Sequence, residues 1–190
     1  GSAFHGVHGL GIDKSGRLFA GSVAGAALYE VDRNNGTAKI AVPSPEGMSD
    51  DIAFAPDGTM AWTAFLTGDL YSRKGDGAVK KLASGLPGIN SLAFRKDGRL
   101  YVVDGGNFRV QVFDAEGRFV KTFGAIGRQG GQFSRPKEIA IDREGNVYVV
   151  DTAFGNFQIF NPEGRLLLGV GSRGNTDAPA RFMLPSGIAV

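Results

Sequence analysis

Leu10-Gly11-Ile12 is the first of five copies of one tripeptide, in which a large aliphatic residue is followed by Gly or Ala and then by Ile, Phe or Val. The other copies are Ile52-Ala53-Phe54, Leu92-Ala93-Phe94, Ile139-Ala140-Ile141 and Ile188-Ala189-Val190. Successive copies begin 42, 40, 47 and 49 residues apart. A period of this size is typical of stacked, repeated supersecondary units. The sequence therefore predicts a repeat architecture for the whole chain.

Two glycine-containing turns follow each of the first four copies. In the third period they are Lys96-Asp97-Gly98-Arg99 and Ala115-Glu116-Gly117-Arg118. Gly supplies the positive φ that tight hairpins need. The runs between the turns are short and rich in Val, Ile, Leu, Phe and Tyr, as in Leu100–Val103, and this composition predicts strands. Two hairpins per period give four strands, which is the blade of a β-propeller.

We therefore predict an all-β fold of four four-stranded antiparallel blades with one extra inner strand. The predicted blades are 7–48, 49–88, 89–136 and 137–184, and the extra strand is 186–190. The small middle residue of the tripeptide is expected where the inner strands converge. An incomplete ring would leave two apolar blade faces bare. The possible outcomes are a ring of four blades closed alone with a spare tail, a larger ring closed by oligomerisation, or a fragment that associates irregularly. We favour a homo-oligomer formed by strand or blade exchange.

Composition narrows the possible partners. The chain has no Cys, which excludes disulfides and thiolate metal sites. No apolar run approaches the roughly 18 residues of a membrane helix, and no signal peptide is visible, so we expect a soluble chain without membrane contact. The sequence does not predict the cellular compartment. Lys and Arg are scattered without a basic block and the net charge is +2, which argues against a nucleic-acid partner.

The first half of the chain, about 5–103, resembles the senescence-marker/gluconolactonase superfamily and its strictosidine-synthase-like relatives. The resemblance rests on these stretches: His8-Gly9-Leu10-Gly11-Ile12-Asp13, Gly16-Arg17-Leu18-Phe19, Asp50-Asp51-Ile52-Ala53-Phe54-Ala55-Pro56-Asp57-Gly58 and Leu86-Pro87-Gly88-Ile89-Asn90-Ser91-Leu92-Ala93-Phe94. It implies a propeller, a divalent metal at the mouth of the central channel and lactone hydrolysis.

The second half, about 100–190, resembles NHL-repeat propellers instead. The matching stretches include Tyr101-Val102-Val103-Asp104, Asn107-Phe108-Arg109-Val110-Gln111-Val112-Phe113-Asp114 and Gly145-Asn146-Val147-Tyr148-Val149-Val150-Asp151. This resemblance implies that Asp104 and Asp151 bond turn backbone. Both families normally build six blades. Two patterns in one chain favour an engineered or recombined chimera over a natural hybrid or truncated domain.

Polar residues stand two positions before each tripeptide and should ring one mouth of the channel. Together with Asp51 they form the predicted set of mouth residues: His8, Asp50, Asp51, Asn90, Lys137 and Ser186. The first resemblance implies Ca²⁺ bound through Asp50 and Asn90, with His8 where an acidic ligand is expected. Lys137 would repel a cation. The alternative is a hydrogen-bonded, solvated rim with no cofactor.

The leading functional hypothesis is a non-enzymatic scaffold or binding module that self-associates and has no catalytic residue. The alternative is a vestigial, Ca²⁺-dependent, lactonase-like hydrolase, for which Asp50, Asp51 and Glu46 are the candidate bases. A second alternative is an NHL-type surface that binds protein or RNA. His5 and His8 form a His-x-x-His, which without a third strong ligand makes a poor zinc site.

Overall fold

A computed structural model describes residues 6–176 and 178–190 of the chain. It contains four four-stranded sheets and one two-stranded sheet, which confirms the all-β prediction. The helical part of these residues is one three-residue 3₁₀ turn, η1 (Gly105–Asn107), which is far too short to cross a bilayer. The chain divides into two compact units, residues 1–90 and 91–190, and each is described by itself.

The first unit contains two antiparallel sheets whose strands are paired in chain order. Short turns join consecutive strands, so each strand pairs with the one that precedes it. The first sheet consists of β1 (Val7–Ile12), β2 (Leu18–Ser22), β3 (Ala27–Val31) and β4 (Ala38–Val42). The second consists of β5 (Ile52–Phe54), β6 (Thr59–Ala64), β7 (Asp69–Lys74) and β8 (Lys80–Ala83).

The second unit repeats this arrangement. Its first sheet consists of β9 (Ile89–Phe94), which begins at the end of the first unit, β10 (Leu100–Asp104), β11 (Arg109–Phe113) and β12 (Phe119–Phe123). Its second sheet consists of β13 (Pro136–Ile141), β14 (Val147–Asp151), β15 (Asn156–Phe160) and β16 (Leu166–Val170). Each of the first four copies of the tripeptide lies in the first strand of one of the four-stranded sheets.

The end of the chain differs from the prediction. The extra strand predicted at 186–190 is not formed, because a strand requires a hydrogen-bonded neighbour and no strand of the described residues pairs with this segment. Instead, β17 (Ser172–Arg173) and β18 (Arg181–Phe182) form a short parallel pair. The repeat locates the fifth tripeptide in the sequence. It does not predict whether another strand is available to pair with it.

Each unit has its own buried aromatic core. In the first unit Trp62 stacks on Tyr71 with 5.7 Å between the ring centroids, and both belong to one apolar cluster. In the second unit Phe160 packs against Phe123 and Phe133, at 4.9 and 5.7 Å. Four of these side chains lie on strands of the four-stranded sheets, and the fifth, Phe133, lies in the segment between β12 and β13.

The tripeptide's small residue has the expected role in the first unit. A Cβ atom added to Gly11 would lie 2.8 Å from Phe54 Cε2 and 3.0 Å from Ile52 Cγ2. Glycine is therefore required where β1 meets β5. The large residues of the tripeptide are not equivalent, because Leu10 is 61% exposed whereas Ile52 is 5% exposed. Self-association, which was predicted from uncovered apolar faces, remains a prediction.

Two turn carboxylates make the fold sensitive to acid. The hydrogen bond from Lys74 holds the pKa of Asp57 at about 2, and the hydrogen bonds from Arg95 hold the pKa of Asp97 at about 2. Both values lie below the 3.8 of an unperturbed Asp, so the stabilisation is complete above about pH 4 and is lost as the pH falls towards 2. We expect urea-unfolding free energies to decline over this range. The decline should be smaller in the Asp57→Asn/Asp97→Asn double variant. If the unfolding free energy of this variant fell with pH as steeply as that of the wild-type chain, the two carboxylates would not be responsible.

Candidate functional site

The first unit brings two of the predicted mouth residues into direct contact. His8 Nδ1 lies 3.0 Å from Asp50 Oδ1. The His8 side chain is 50% exposed, whereas the Asp50 side chain is largely buried. His8 belongs to β1, and Asp50 precedes β5 by two residues. Both residues stand two positions before a tripeptide, but the tripeptide alignment did not predict their pairing.

Thr63 on β6 fixes the backbone of both acidic residues. The Asp50 N–H donates to Thr63 O at 2.8 Å, and the Thr63 N–H donates to Asp51 O at 3.1 Å. The Asp51 N–H donates to Thr63 Oγ1 at 3.2 Å. Thr63 is fully buried, so its hydrogen bonds are protected from competing water. Asp50 and Asp51 are thus held by a strand rather than by a mobile loop.

Gly9 allows the two strands to approach at this point. A Cβ atom there would lie 2.6 Å from Asp50 O, 2.6 Å from Asp51 Cα and 2.9 Å from Asp51 Oδ1. A side chain at this position would displace the backbone that carries both carboxylates. Gly9 is therefore required for the close approach of β1 to the backbone of Asp50 and Asp51.

The pair has the arrangement of a general base with an orienting carboxylate. If Nδ1 of neutral His8 carries the proton, it donates to Asp50 Oδ1 and leaves Nε2 as an acceptor. The carboxylate then fixes the imidazole orientation and stabilises the imidazolium that forms when Nε2 takes a proton. Half of the His8 side chain reaches solvent, which makes it accessible to a water molecule or a small substrate.

One carboxylate oxygen of each acidic residue at this point already has a protein partner. Ca²⁺ prefers six to eight oxygen ligands. Asp50 Oδ1 is already paired with a His8 nitrogen, and Asp51 Oδ1 accepts the Ile52 N–H at 2.9 Å. Within residues 6–176 and 178–190, no three His, Asp or Glu side chains are grouped as metal ligands. Calcium binding through Asp50 and Asn90 remains a prediction.

Each of the other mouth residues is placed in its own segment of the chain. Asn90 is half-buried on β9, Lys137 is half-buried on β13, and Ser186 is exposed outside any strand. Their predicted convergence around one channel therefore stays a prediction. Glu46, a candidate base, contributes its backbone oxygen to Trp62 Nε1 at 2.6 Å. His5 lies outside the described residues.

The second unit has a polar pair at the corresponding point of its strands, which the sequence did not reveal. The buried Ser91 on β9 donates its hydroxyl proton to Glu138 on β13. Both residues directly precede a tripeptide, as Gly9 and Asp51 do in the first unit. A serine hydroxyl bonded to a carboxylate, with no imidazole described beside it, lacks the base of a nucleophilic site. We assign this pair a structural role.

Two other acidic residues of this unit were expected to bond turn backbone. Asp151 confirms this, because its carboxylate accepts the N–H groups of Ser134 and Arg135 at 2.7 and 3.0 Å. Asp104 differs and binds side chains instead. Its fully buried carboxylate accepts Arg109 Nε at 2.7 Å and Gln111 Nε2 at 2.9 Å. Both carboxylates stabilise the fold rather than present a reactive group.

Comparison with known families adds to this geometry. The sequence model of the SMP-30/gluconolactonase/LRE-like region matches residues 3–171. The chain belongs to this family. The match extends past residue 103 into the second half, so one family pattern covers most of the chain. The NHL resemblance of 100–190 and the chimeric origin remain predictions. A search of curated proteins gives no match.

Several solved structures are similar in fold to most of this chain. A streptogramin B lyase has a TM-score of 0.74 at 15% identity, covering 92% of this chain and 57% of the lyase. A gluconolactonase from Xanthomonas campestris has a TM-score of 0.73 at 19% identity, with coverages of 95% and 64%. The calcium-binding protein regucalcin from Agrobacterium tumefaciens has a TM-score of 0.67 at 20% identity, with coverages of 86% and 60%. The chain thus spans less than two thirds of each, and the likeness shows the fold alone.

Proposed function

We propose that the chain is a lactonase-like hydrolase in which His8 is the general base and Asp50 orients it. The observation that carries the proposal is the 3.0 Å contact between His8 Nδ1 and Asp50 Oδ1, with His8 half exposed. Membership of the SMP-30/gluconolactonase/LRE-like family supports lactones as the substrate class. It favours this alternative over the non-enzymatic scaffold that the sequence analysis placed first. Among the described residues, no contact favours the protein- or RNA-binding alternative.

The proposed reaction adds water across the ester bond of the lactone ring. The water oxygen bonds to the carbonyl carbon while one water proton passes to His8 Nε2. Asp50 stabilises the imidazolium formed in this step. Cleavage of the ring C–O bond then releases an alkoxide, which takes the proton back from His8. The product is a hydroxy acid, and the His8–Asp50 pair returns to its starting state.

Lactone turnover in two site variants tests the proposal. Ring opening of dihydrocoumarin can be followed by absorbance with the purified chain. We expect His8→Gln and Asp50→Asn each to lower kcat/KM by a factor of about 100 or more, the usual contribution of a positioned general base. Asp76→Asn is the matched control, since Asp76 is an exposed turn carboxylate of the same unit. Equal activity in all four proteins would contradict the proposal.

Chelation separates this mechanism from the calcium alternative. Because the base is a side-chain imidazole, EDTA should leave the turnover unchanged. If EDTA abolished turnover and Ca²⁺ restored it, the family assignment would stand but the His8–Asp50 mechanism would be wrong.

A further inference from the structure

A cavity of about 320 Å³ lies in the second unit, and all of its lining residues belong to that unit. It is bounded by β15, β16 and the segment 128–130, and Phe154, Leu166 and Gly169 are among its lining residues. This volume falls at the lower end of the range of small-molecule pockets. None of the predicted mouth residues lines it.

One wall of the cavity is fixed by a buried glutamine. Gln158 on β15 is almost completely buried, and its Oε1 accepts the Gly131 N–H at 2.7 Å. Its Nε2 donates to Gln132 O at 2.8 Å. The Gln129 N–H in turn donates to Gln132 Oε1 at 3.0 Å. The loop that carries Arg128 is therefore anchored to the sheet, so the cavity is built rather than incidental.

Gly169 leaves the cavity open. This residue lies within β16 directly opposite Gln158, and a Cβ atom added to it would meet nothing within 4 Å. Its φ is not in the left-handed region, so neither a turn nor a close approach requires glycine here. Glycine inside a strand weakens it and often marks a place that a ligand approaches. In the preceding sheet the corresponding position, opposite Gln111, is Thr122.

The lining has the chemistry of a site for a small organic anion. Arg128 is the charged residue of the lining, and among the residues described no carboxylate lines the cavity to neutralise it. Phe154 and Leu166 offer apolar surface. Asn156 lines the wall as well, and its Oδ1 accepts no hydrogen bond from any described residue. Rotation of that amide would present it to a hydrogen-bond donor in the cavity.

We propose that this cavity binds a small carboxylate that carries an apolar ring and one hydrogen-bond donor. The carboxylate pairs with Arg128, since guanidinium groups bind carboxylates with two parallel hydrogen bonds. The ring packs between Phe154 and Leu166 above Gly169. The donor satisfies the Asn156 amide. The site is independent of the proposed hydrolase site, which lies in the first unit.

Titration with 4-hydroxyphenylacetate, followed by NMR chemical shifts, tests the proposal. We expect saturable binding that Arg128→Gln weakens at least tenfold, while Arg143→Gln, which alters an exposed arginine outside the cavity, leaves it unchanged. Gly169→Val should abolish binding by filling the cavity without lowering Tm, because open space and a β-branched residue both suit this strand position. The neutral 4-hydroxyphenylethanol should bind at least tenfold more weakly than the acid.

Three results would overturn the proposal. The first is the absence of saturable binding by the wild-type chain up to ~10 mM, far above the dissociation constants of specific sites. The second is unchanged binding in Arg128→Gln and Gly169→Val, which would place the ligand elsewhere. The third is equal affinity for the acid and the alcohol, which would show that the carboxylate does not contribute to binding.

Discussion

Trp62→Ala is expected to lower the free energy of unfolding by about 3–5 kcal/mol, the usual cost of truncating a large buried aromatic side chain. Trp62 is fully buried in the first unit and stacks on Tyr71. The variant loses this packing and leaves a cavity. It also loses the hydrogen bond from Nε1 to Glu46 O, so this half-buried carbonyl is left with one donor fewer. Urea unfolding followed by circular dichroism measures the change.

The matched control is Phe65→Ala, which removes a large aromatic ring just after the same strand. Phe65 is 42% exposed, so its truncation should cost less than about 1 kcal/mol. Trp62 also adjoins Thr63, which holds the backbone of Asp50 and Asp51. Trp62→Ala should therefore reduce lactone turnover together with stability. Equal destabilisation by the two variants would show that the first unit has no core around Trp62.

Asp104→Ala is expected to cost about 3 kcal/mol in the second unit, between the cost of one unsatisfied buried donor and that of a broken buried ion pair. The Asp104 carboxylate is fully buried and accepts hydrogen bonds from Asn107, Arg109 and Gln111. Gln111 is also buried, so its amide would lose its partner without access to water. Arg109 is partly exposed and regains some hydration, which limits the loss.

Glu116→Ala serves as the control for Asp104→Ala. Glu116 Oε2 lies 3.0 Å from Arg118 Nη2, and both side chains are well exposed. An exposed ion pair of this kind contributes at most about 1 kcal/mol. Thermal unfolding of both variants at one ionic strength gives the comparison. A loss in Asp104→Ala no larger than in Glu116→Ala would refute the proposed hydrogen-bonding role of Asp104.

The sheets could be predicted from the sequence because their determinants are local. Turn glycines such as Gly16, Gly58 and Gly98 do adopt positive φ, and the apolar runs between such turns form the strands. Period and turn chemistry act over a few residues, so one sequence carries enough information to locate a hairpin. The final segment shows the limit of this reasoning, since Ser186–Val190 has the pattern of a strand without a strand beside it.

The sequence predicted which positions belong to the candidate site, but it did not predict which of the side chains contact each other. Aligning the tripeptides placed His8 and Asp50 at equivalent points of neighbouring sheets, and the structure pairs them. The pairing depends on rotamers and on the space left by Gly9, which no periodicity encodes. Gln158 is a similar case, because its partners Gly131 and Gln132 are 27 and 26 residues away. Asp104 and Asp151 end equivalent strands but bind different partners, which shows that equivalent positions need not have equivalent interactions.

The contacts just before the tripeptides constrain how such a chain can be rebuilt from parts. In the first unit Gly9 makes room for Asp51, and in the second Ser91 donates to Glu138. Each contact joins one sheet to the next, so transplanting a single sheet would separate a carboxylate from the residue that accommodates it. A cut between β8 and β9, within residues 84–88, keeps both contacts and all four sheets whole. The smallest exchangeable module of this chain is therefore a pair of sheets, and shuffling experiments should recover folded proteins from pairs far more often than from single repeats.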